Sequence, residues 1–180
     1  MRVIAGALGG RRIKSPRGRV TRPTSDRVRE AVFALLGDVR GARVLDLFAG
    51  AGGLGIEALS RGAERAVFIE RDPRAVRALR DNLASLGIGA EAAEVRPAEV
   101  LAALRSARGR GETYDLVFID PPYSRASDLG RELSVLLPSL LEPEACVVVE
   151  SDRRAPLELQ AHLERERTYG DTSIKIHRQR

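Results

Sequence analysis

The chain is poor in sulfur and imidazole. Cys146 is its one cysteine, so no disulfide can form within the chain. Its place in the apolar run 145–149 marks it as a buried core residue. His162 and His177 are the only histidines, far apart and with no ligand-like spacing to Cys146, so no metal site is expected. No apolar run approaches the ~20 residues that span a bilayer. The opening Met1-Arg2-Val3-Ile4-Ala5-Gly6 lacks the long apolar region of a signal peptide. These absences argue against a membrane role and predict a cytoplasmic setting. Repeats and low-complexity segments are also missing.

What is present is ordinary for a globular protein. Hydrophobic residues make up 43% of the 180 and charged residues 31%. A chain of this length forms one domain with a small extension and buries roughly 70% of its unfolded surface. The charge is unevenly spread. Residues 1–29 carry nine basic side chains against Asp26, a balance of +8, whereas the whole chain is +5, which leaves −3 for the rest. A basic arm on a mildly acidic body predicts a polyanionic partner. The basic residues are overwhelmingly arginine, which favours forked phosphate contacts and base stacking over point charges.

Residues 2–5 and 11–14 read as a small hairpin, and 15–18 as a turn. A helix is expected over 26–36, capped by Thr24 or Ser25 and stopped by Gly37. Arg27 and Arg29 in its first turn oppose the helix dipole, which points to an anionic partner for them. Strands follow at 44–48, 66–69, 90–95, 116–120 and 145–150. Helices are expected at 56–61, from Asp72-Pro73 to Gly87, at 98–105, at 127–137 and at 156–162. A turn at 168–172 joins two last strands, the final one at 173–177. Strand and helix alternate, so the fold class is α/β with a mostly parallel sheet and a C-terminal antiparallel hairpin.

Two motifs carry chemistry. Gly50-Ala51-Gly52-Gly53-Leu54-Gly55 matches G-x-G-x-x-G between a strand and a helix, and Glu70 ends the next strand about 20 residues on, where an acid takes ribose hydroxyls. The pattern predicts a nucleoside-containing cofactor without separating NAD from S-adenosylmethionine. Asp46, just ahead of the loop, suits an ammonium group and would repel a pyrophosphate, which favours S-adenosylmethionine. The second motif is Asp120-Pro121-Pro122-Tyr123, directly after the apolar strand. Proline cannot continue a central strand. Asp120 is therefore expected at the carboxyl edge of the sheet, where ligands of open α/β folds bind, with an aromatic beside it. A fixed acceptor next to a flat ring suits a planar amino group.

Several stretches together resemble the bacterial 16S ribosomal RNA guanine-N2 methyltransferases of the RsmD family. They are Asp46-Leu47-Phe48-Ala49-Gly50-Ala51-Gly52, Gly55-Ile56-Glu57-Ala58-Leu59-Ser60-Arg61-Gly62-Ala63, Glu70 and Asp120-Pro121-Pro122-Tyr123. The opening Arg2-Val3-Ile4-Ala5-Gly6, Gly10-Arg11, Thr21-Arg22-Pro23-Thr24 and Arg29-Glu30-Ala31-Val32-Phe33 agrees, as does the late Tyr169-Gly170. The resemblance implies a Rossmann-like class I methyltransferase domain over 41–180 and an RNA-binding hairpin and helix extension over 1–40. It implies S-adenosyl-L-methionine as donor, held by Asp46, Phe48, Gly50, Gly52, Gly55, Glu70, Arg71 and Ala98. Asp120, Pro121, Pro122 and Tyr123 would be catalytic. Arg11, Arg12, Arg19, Arg22, Thr24 and Arg27 would hold RNA. The implied partner is 16S rRNA within a 30S assembly particle, with the enzyme a monomer. Two departures stand out. Ala51 replaces the family's usual serine, and Arg96-Pro97-Ala98 stands where related enzymes place an acid against the adenine, which leaves that contact to backbone or to Glu99.

On this reading Asp120 and the Pro121 carbonyl accept the two N–H bonds of the target amine and hold its lone pair towards the methyl. Tyr123 stacks on an unstacked base. Other readings remain open from sequence alone: the same chemistry on DNA adenine N6 or a protein amide, an NAD-dependent oxidoreductase, and an RNA-binding protein without activity.

Overall fold

Strand and helix alternate in the computed structural model, which describes residues 1–16, 25–122 and 126–179. In chain order the elements are α1 (Asp26–Leu36), β1 (Arg43–Leu47), α2 (Gly53–Ser60), β2 (Arg65–Glu70), α3 (Pro73–Leu86), β3 (Ala93–Pro97), α4 (Val100–Gly109) and β4 (Tyr114–Ile119). Then come α5 (Ala126–Leu136), a 3-10 turn (Leu137–Leu140), β5 (Leu141–Asp152), β6 (Leu163–Tyr169) and β7 (Thr172–Arg178). The local signals explain most boundaries. Ser25 caps α1 by accepting the Val28 N–H, and Gly37 ends it at φ 77°. Asp72 caps α3, Pro73 opens it, and Gly87 closes it in the left-handed region. The predicted stripe Val76, Leu79, Leu83 and Leu86 is buried throughout.

Seven strands form one sheet in the order β3-β2-β1-β4-β5-β7-β6. The first five run parallel, and β7 lies antiparallel between β5 and β6. Side chains alternate across the sheet, so each strand feeds two cores. Val44, Ala66, Phe68, Leu116, Phe118, Val148, Ile174 and Ile176 pack with α1, α2 and α3. Leu45, Leu47, Val67, Ile69, Val117, Ile119, Val147 and Val149 pack with α4 and α5. Phe33 of α1 meets Phe118 with ring centroids 5.8 Å apart.

The N-terminal segment packs onto the first core through Val3 and Ile13. Its expected hairpin forms as a short antiparallel pair: Arg2 bridges Arg12, and the N–H groups of Val3, Gly10 and Ile13 bond the carbonyls of Arg11, Val3 and Met1 at 2.9, 2.9 and 3.0 Å. The segment bonds to helices as well. Buried Glu57 accepts the N–H groups of Ile4 (2.7 Å) and Ala5 (3.1 Å), and Ser60 Oγ accepts that of Leu8 (3.0 Å). Asn82 takes both backbone polar groups of Lys14, accepting its N–H at 2.9 Å and donating to its carbonyl at 3.0 Å.

Three expectations are corrected. No helix forms over 156–162. Leu157 and Leu159 are buried at a spacing of two, so the chain lies extended against α5. It comes so close there that a Cβ on Gly130 would stand 2.3 Å from the Glu158 carbonyl oxygen. Cys146 is only half-buried. The second helix starts at Gly53 and not Ile56, because the glycine loop itself supplies the first turn.

Candidate active site

The strand order reverses between β1 and β4, and the carboxyl edge at such a reversal opens a crevice. Register decides which residues stand there. Leu47 lies opposite both Ile69 and Ile119, and Ile119 lies opposite Val149. One residue further along, Phe48, Glu70, Asp120 and Glu150 therefore share one edge. Asp46, Glu70, Asp120 and Glu150 fall on the face covered by α1, α2 and α3, in alternation with the residues of the second core. Four carboxylates converge on a single mouth.

Two of them build the glycine loop. Glu70, buried, accepts the Gly50 N–H at 2.9 Å and those of Arg71 and Asp72 at 2.8 Å each. Asp46, also buried, accepts the Gly55 N–H at 2.9 Å. Burial raises the Asp46 carboxyl to about 7, against the pull of that N–H, and the charges of Asp120 and Glu70 add to the rise. The mouth is thus short of positive charge. A cationic ligand would relieve it, and a pyrophosphate would aggravate it.

The glycines differ in role. At Gly50 (φ 58°) a Cβ would find nothing nearer among the described residues than the Phe48 carbonyl oxygen at 3.9 Å. Gly52 (φ 88°) and Gly55 are packing positions. A Cβ would stand 2.4 Å from Leu79 Cδ1 at the first and 2.3 Å from Phe68 Cε1 at the second. Phe48 takes the left-handed φ of 63°, a strained conformation for an aromatic residue, at the point where β1 turns into the loop.

The other predicted residues are placed as follows. Asp120 is half-buried, Pro121 buried and Pro122 exposed, while Tyr123 lies outside the described residues. Arg71 is paired with Glu99 at 2.6 Å. The Ala98 N–H bonds the Glu70 carbonyl at 3.1 Å, which joins β3 to the same edge. Arg96 is taken up by Glu94 and Glu112, each at 2.7 Å. Arg11, Arg12 and Arg27 are exposed, and Arg19, Arg22 and Thr24 lie outside the described residues. Among the described residues no group of three or more His, Cys, Asp or Glu is arranged to hold a metal ion.

Sequence reasoning missed Asn82. Its amide donates to the Ala51 carbonyl (3.0 Å) as well as to Lys14, so it ties the glycine loop to the N-terminal segment. The available signal was a polar residue three positions after Leu79, on the buried stripe of α3. Glu150 was missed too, hidden at the end of an apolar run. The arginines that oppose the dipole of α1 divide: Arg27 faces solvent, while Arg29 is fully buried and bonds Asp26 at 2.9 Å.

The chain is similar to known proteins. The family model described as conserved hypothetical protein 95 matches residues 1–178. The Haemophilus influenzae ribosomal RNA small subunit methyltransferase D is 35% identical, over 98% of this chain and 93% of its own. The Escherichia coli K12 protein of the same name is 39% identical, over 84% and 75%. The solved structure of Escherichia coli yhhF matches with a TM-score of 0.84 at 36% identity, covering 99% of this chain and 97% of that one. At 23% identity, a Thermus thermophilus 16S rRNA N2 methyltransferase, RsmC, shares the fold, with a TM-score of 0.70 over 91% of this chain and 44% of that one. Glycine loop, acidic edge and N-terminal segment thus lie inside one continuous match, and the chain belongs to the conserved hypothetical protein 95 family, that of the ribosomal RNA small subunit methyltransferase D proteins.

Proposed function

We propose that this chain methylates the exocyclic N2 of a guanine in small-subunit rRNA, with S-adenosyl-L-methionine as donor. The observation that carries the reading is the convergence of Asp46, Glu70 and Asp120 on one edge at the strand reversal, in a chain of this family. Bound S-adenosylmethionine supplies a methyl group on a positively charged sulfur. The residues present suit that ligand. Asp46 and its neighbours favour a cation. Gly50 leaves space beside the loop, and Glu70, at the end of β2, stands where ribose hydroxyls need an acceptor.

The chain's task is then positioning. A guanine amine is a weak nucleophile because its lone pair is delocalised into the ring. Asp120 and the Pro121 carbonyl accept its N–H bonds, aim the lone pair and stabilise the positive charge that develops on nitrogen. Asp120 stands on a stiff turn, since two prolines follow it. Tyr123 stacks on a base drawn out of its helix. The N-terminal segment, with Arg11, Arg12, Arg19, Arg22, Thr24 and Arg27, holds the RNA backbone, and the target is 16S rRNA in an assembling particle.

The test is incubation with labelled S-adenosylmethionine and unmodified small-subunit RNA or particles, then nucleoside analysis. N2-methylguanosine is expected. Label in N6-methyladenine of DNA, or none in any RNA with the cofactor bound, would overturn the substrate.

A further inference from the structure

Arg29 is among the largest side chains fully buried in the chain, and its donors are only half satisfied. Nη2 donates to Asp26 Oδ1 (2.9 Å) and to the Arg2 carbonyl. Nε and Nη1 have no partner among the described residues. Orphaned buried donors are rare in native interiors, and on a cation they are costlier still. Burial pushes the guanidinium below its ordinary value, while Asp26, Glu57 and Glu150 pull it back up.

Of the orphaned atoms, Nη1 lies against the first turn of α2. A Cβ built on Gly53 would stand 3.5 Å from Arg29 Nη1 and 3.1 Å from Met1 Sδ. That turn has donors of its own. The Gly55 N–H goes to Asp46 and the Ile56 N–H to the Gly52 carbonyl, whereas those of Gly53 and Leu54 have no partner among the described residues. A helix start with two open N–H groups attracts an anion, and a buried, half-paired guanidinium beside it strengthens the pull. Asp46, which favours a cation, reaches the same turn two residues on. Opposite charges are therefore wanted within one helical turn, which is the spacing of an amino acid's ammonium and carboxylate on a single carbon. Met1 is half-buried, and its flexible thioether lies against Gly53 beside Nη1.

We propose that Arg29, with the Gly53 and Leu54 N–H groups, binds the α-carboxylate of the cofactor's methionyl end, Met1 moving aside to admit it. The proposal rests on the S-adenosylmethionine reading above. It makes Arg29 a cofactor-binding residue supplied by the N-terminal segment, outside the glycine-loop motif.

The test is calorimetry on the full chain with two ligands, S-adenosylmethionine and its decarboxylated form, which lacks only the carboxylate. Wild type should bind the carboxylated form at least about tenfold more tightly, the scale of a charge-assisted pair. Arg29→Met should lose that preference or invert it, because the surrounding acids then favour the more cationic ligand, and its affinity for the decarboxylated form should stay within about twofold. Arg29→Lys, which keeps the charge, should retain part of the preference and covers the case in which the Met variant does not fold. Equal wild-type affinities, equal weakening of both ligands in the variants, or an unchanged preference in Arg29→Met would each overturn the proposal. A wild type that binds neither ligand would instead remove the S-adenosylmethionine reading itself.

Discussion

Asp46→Asn should stabilise the ligand-free protein, and the gain should grow with pH. The Asp46 carboxyl lies buried, held up at about 7 against an ordinary value of 3.8. The folded state thus binds the proton more tightly than the unfolded state does. A raised carboxyl means stability falls as pH rises from the unfolded value through the folded one. Between pH 5 and pH 8 a shift of that size removes roughly 2–3 kcal/mol from wild type, at about 1.4 kcal/mol per unit. Asparagine does not titrate, and its carbonyl oxygen can still accept the Gly55 N–H. The difference in stability between variant and wild type should therefore widen by about 2 kcal/mol over that range, or roughly 4–8 °C in Tm for a domain of this size. Other carboxylates titrate in both proteins and largely cancel in the difference. Thermal denaturation of the two proteins in parallel at pH 5, 6, 7 and 8 is the assay. A constant gap across the range would refute the account of Asp46 as a buried carboxyl that holds its proton up to about 7.

Four further outcomes follow from the same geometry. Asp120→Ala should lower the methylation rate about 10²–10³-fold while cofactor affinity by calorimetry stays near wild type, since the carboxylate acts on the amine in the transition state; near-normal turnover would remove it from the mechanism. Glu70→Gln should weaken S-adenosylmethionine binding by roughly 1.5–3 kcal/mol, read by calorimetry, because a charged acceptor is lost and Gly50, Arg71 and Asp72 give up part of their anchor. Gly55→Ala should destabilise the fold by roughly 1–3 kcal/mol in denaturant titration, because its methyl would meet the Phe68 ring and no open space. Replacing Arg11, Arg12, Arg19 and Arg22 with Gln should flatten the salt dependence of RNA binding, from a log–log slope near −3 if about four phosphates are touched. Equal slopes would move the RNA surface to the body of the protein.

The parts legible in the sequence are those governed by local rules. Ser25, Gly37, Asp72-Pro73 and Gly87 mark helix ends through hydrogen bonds and φ values that depend on near neighbours. The apolar runs mark strands, and the spacing from Gly50 to Glu70 marks their connection. The segment 156–162 failed because its burial is decided by α5, far away in sequence. A Pro-Leu-Glu-Leu run suits a helix as readily as an extended strap, and only the close approach at Gly130 selects the strap. The hairpin over 2–14 is present as a short antiparallel pair, but its seat on the helices was not legible. Its backbone groups found partners on Glu57, Ser60 and Asn82, and no local pattern announces a partner 50 or more residues off. At the candidate site, the placement of Glu70 and Asp120 at strand ends was readable but the charge balance was not. That Asp46, Glu70, Asp120 and Glu150 share one face follows from register, which links four strands no sequence window spans.

That shared face also explains why the N-terminal segment matters to a site built elsewhere. The second core closes the other face of the sheet with apolar contacts to α4 and α5. The first core ends at four acids, which repel one another if left uncovered. The elements that cover it bring the compensating groups: the Gly50 and Gly55 N–H groups from the loop and α2, and the guanidinium of Arg29 from α1. Each is anchored to the segment before β1. Glu57 of α2 holds Ile4 and Ala5, Asn82 holds Lys14 together with the loop carbonyl of Ala51, and Arg29 holds the Arg2 carbonyl. A force on the basic arm is therefore carried by direct hydrogen bonds into the loop that frames the mouth. The charged groups that answer the acids and the chain that would meet RNA form one connected layer on one side of the sheet.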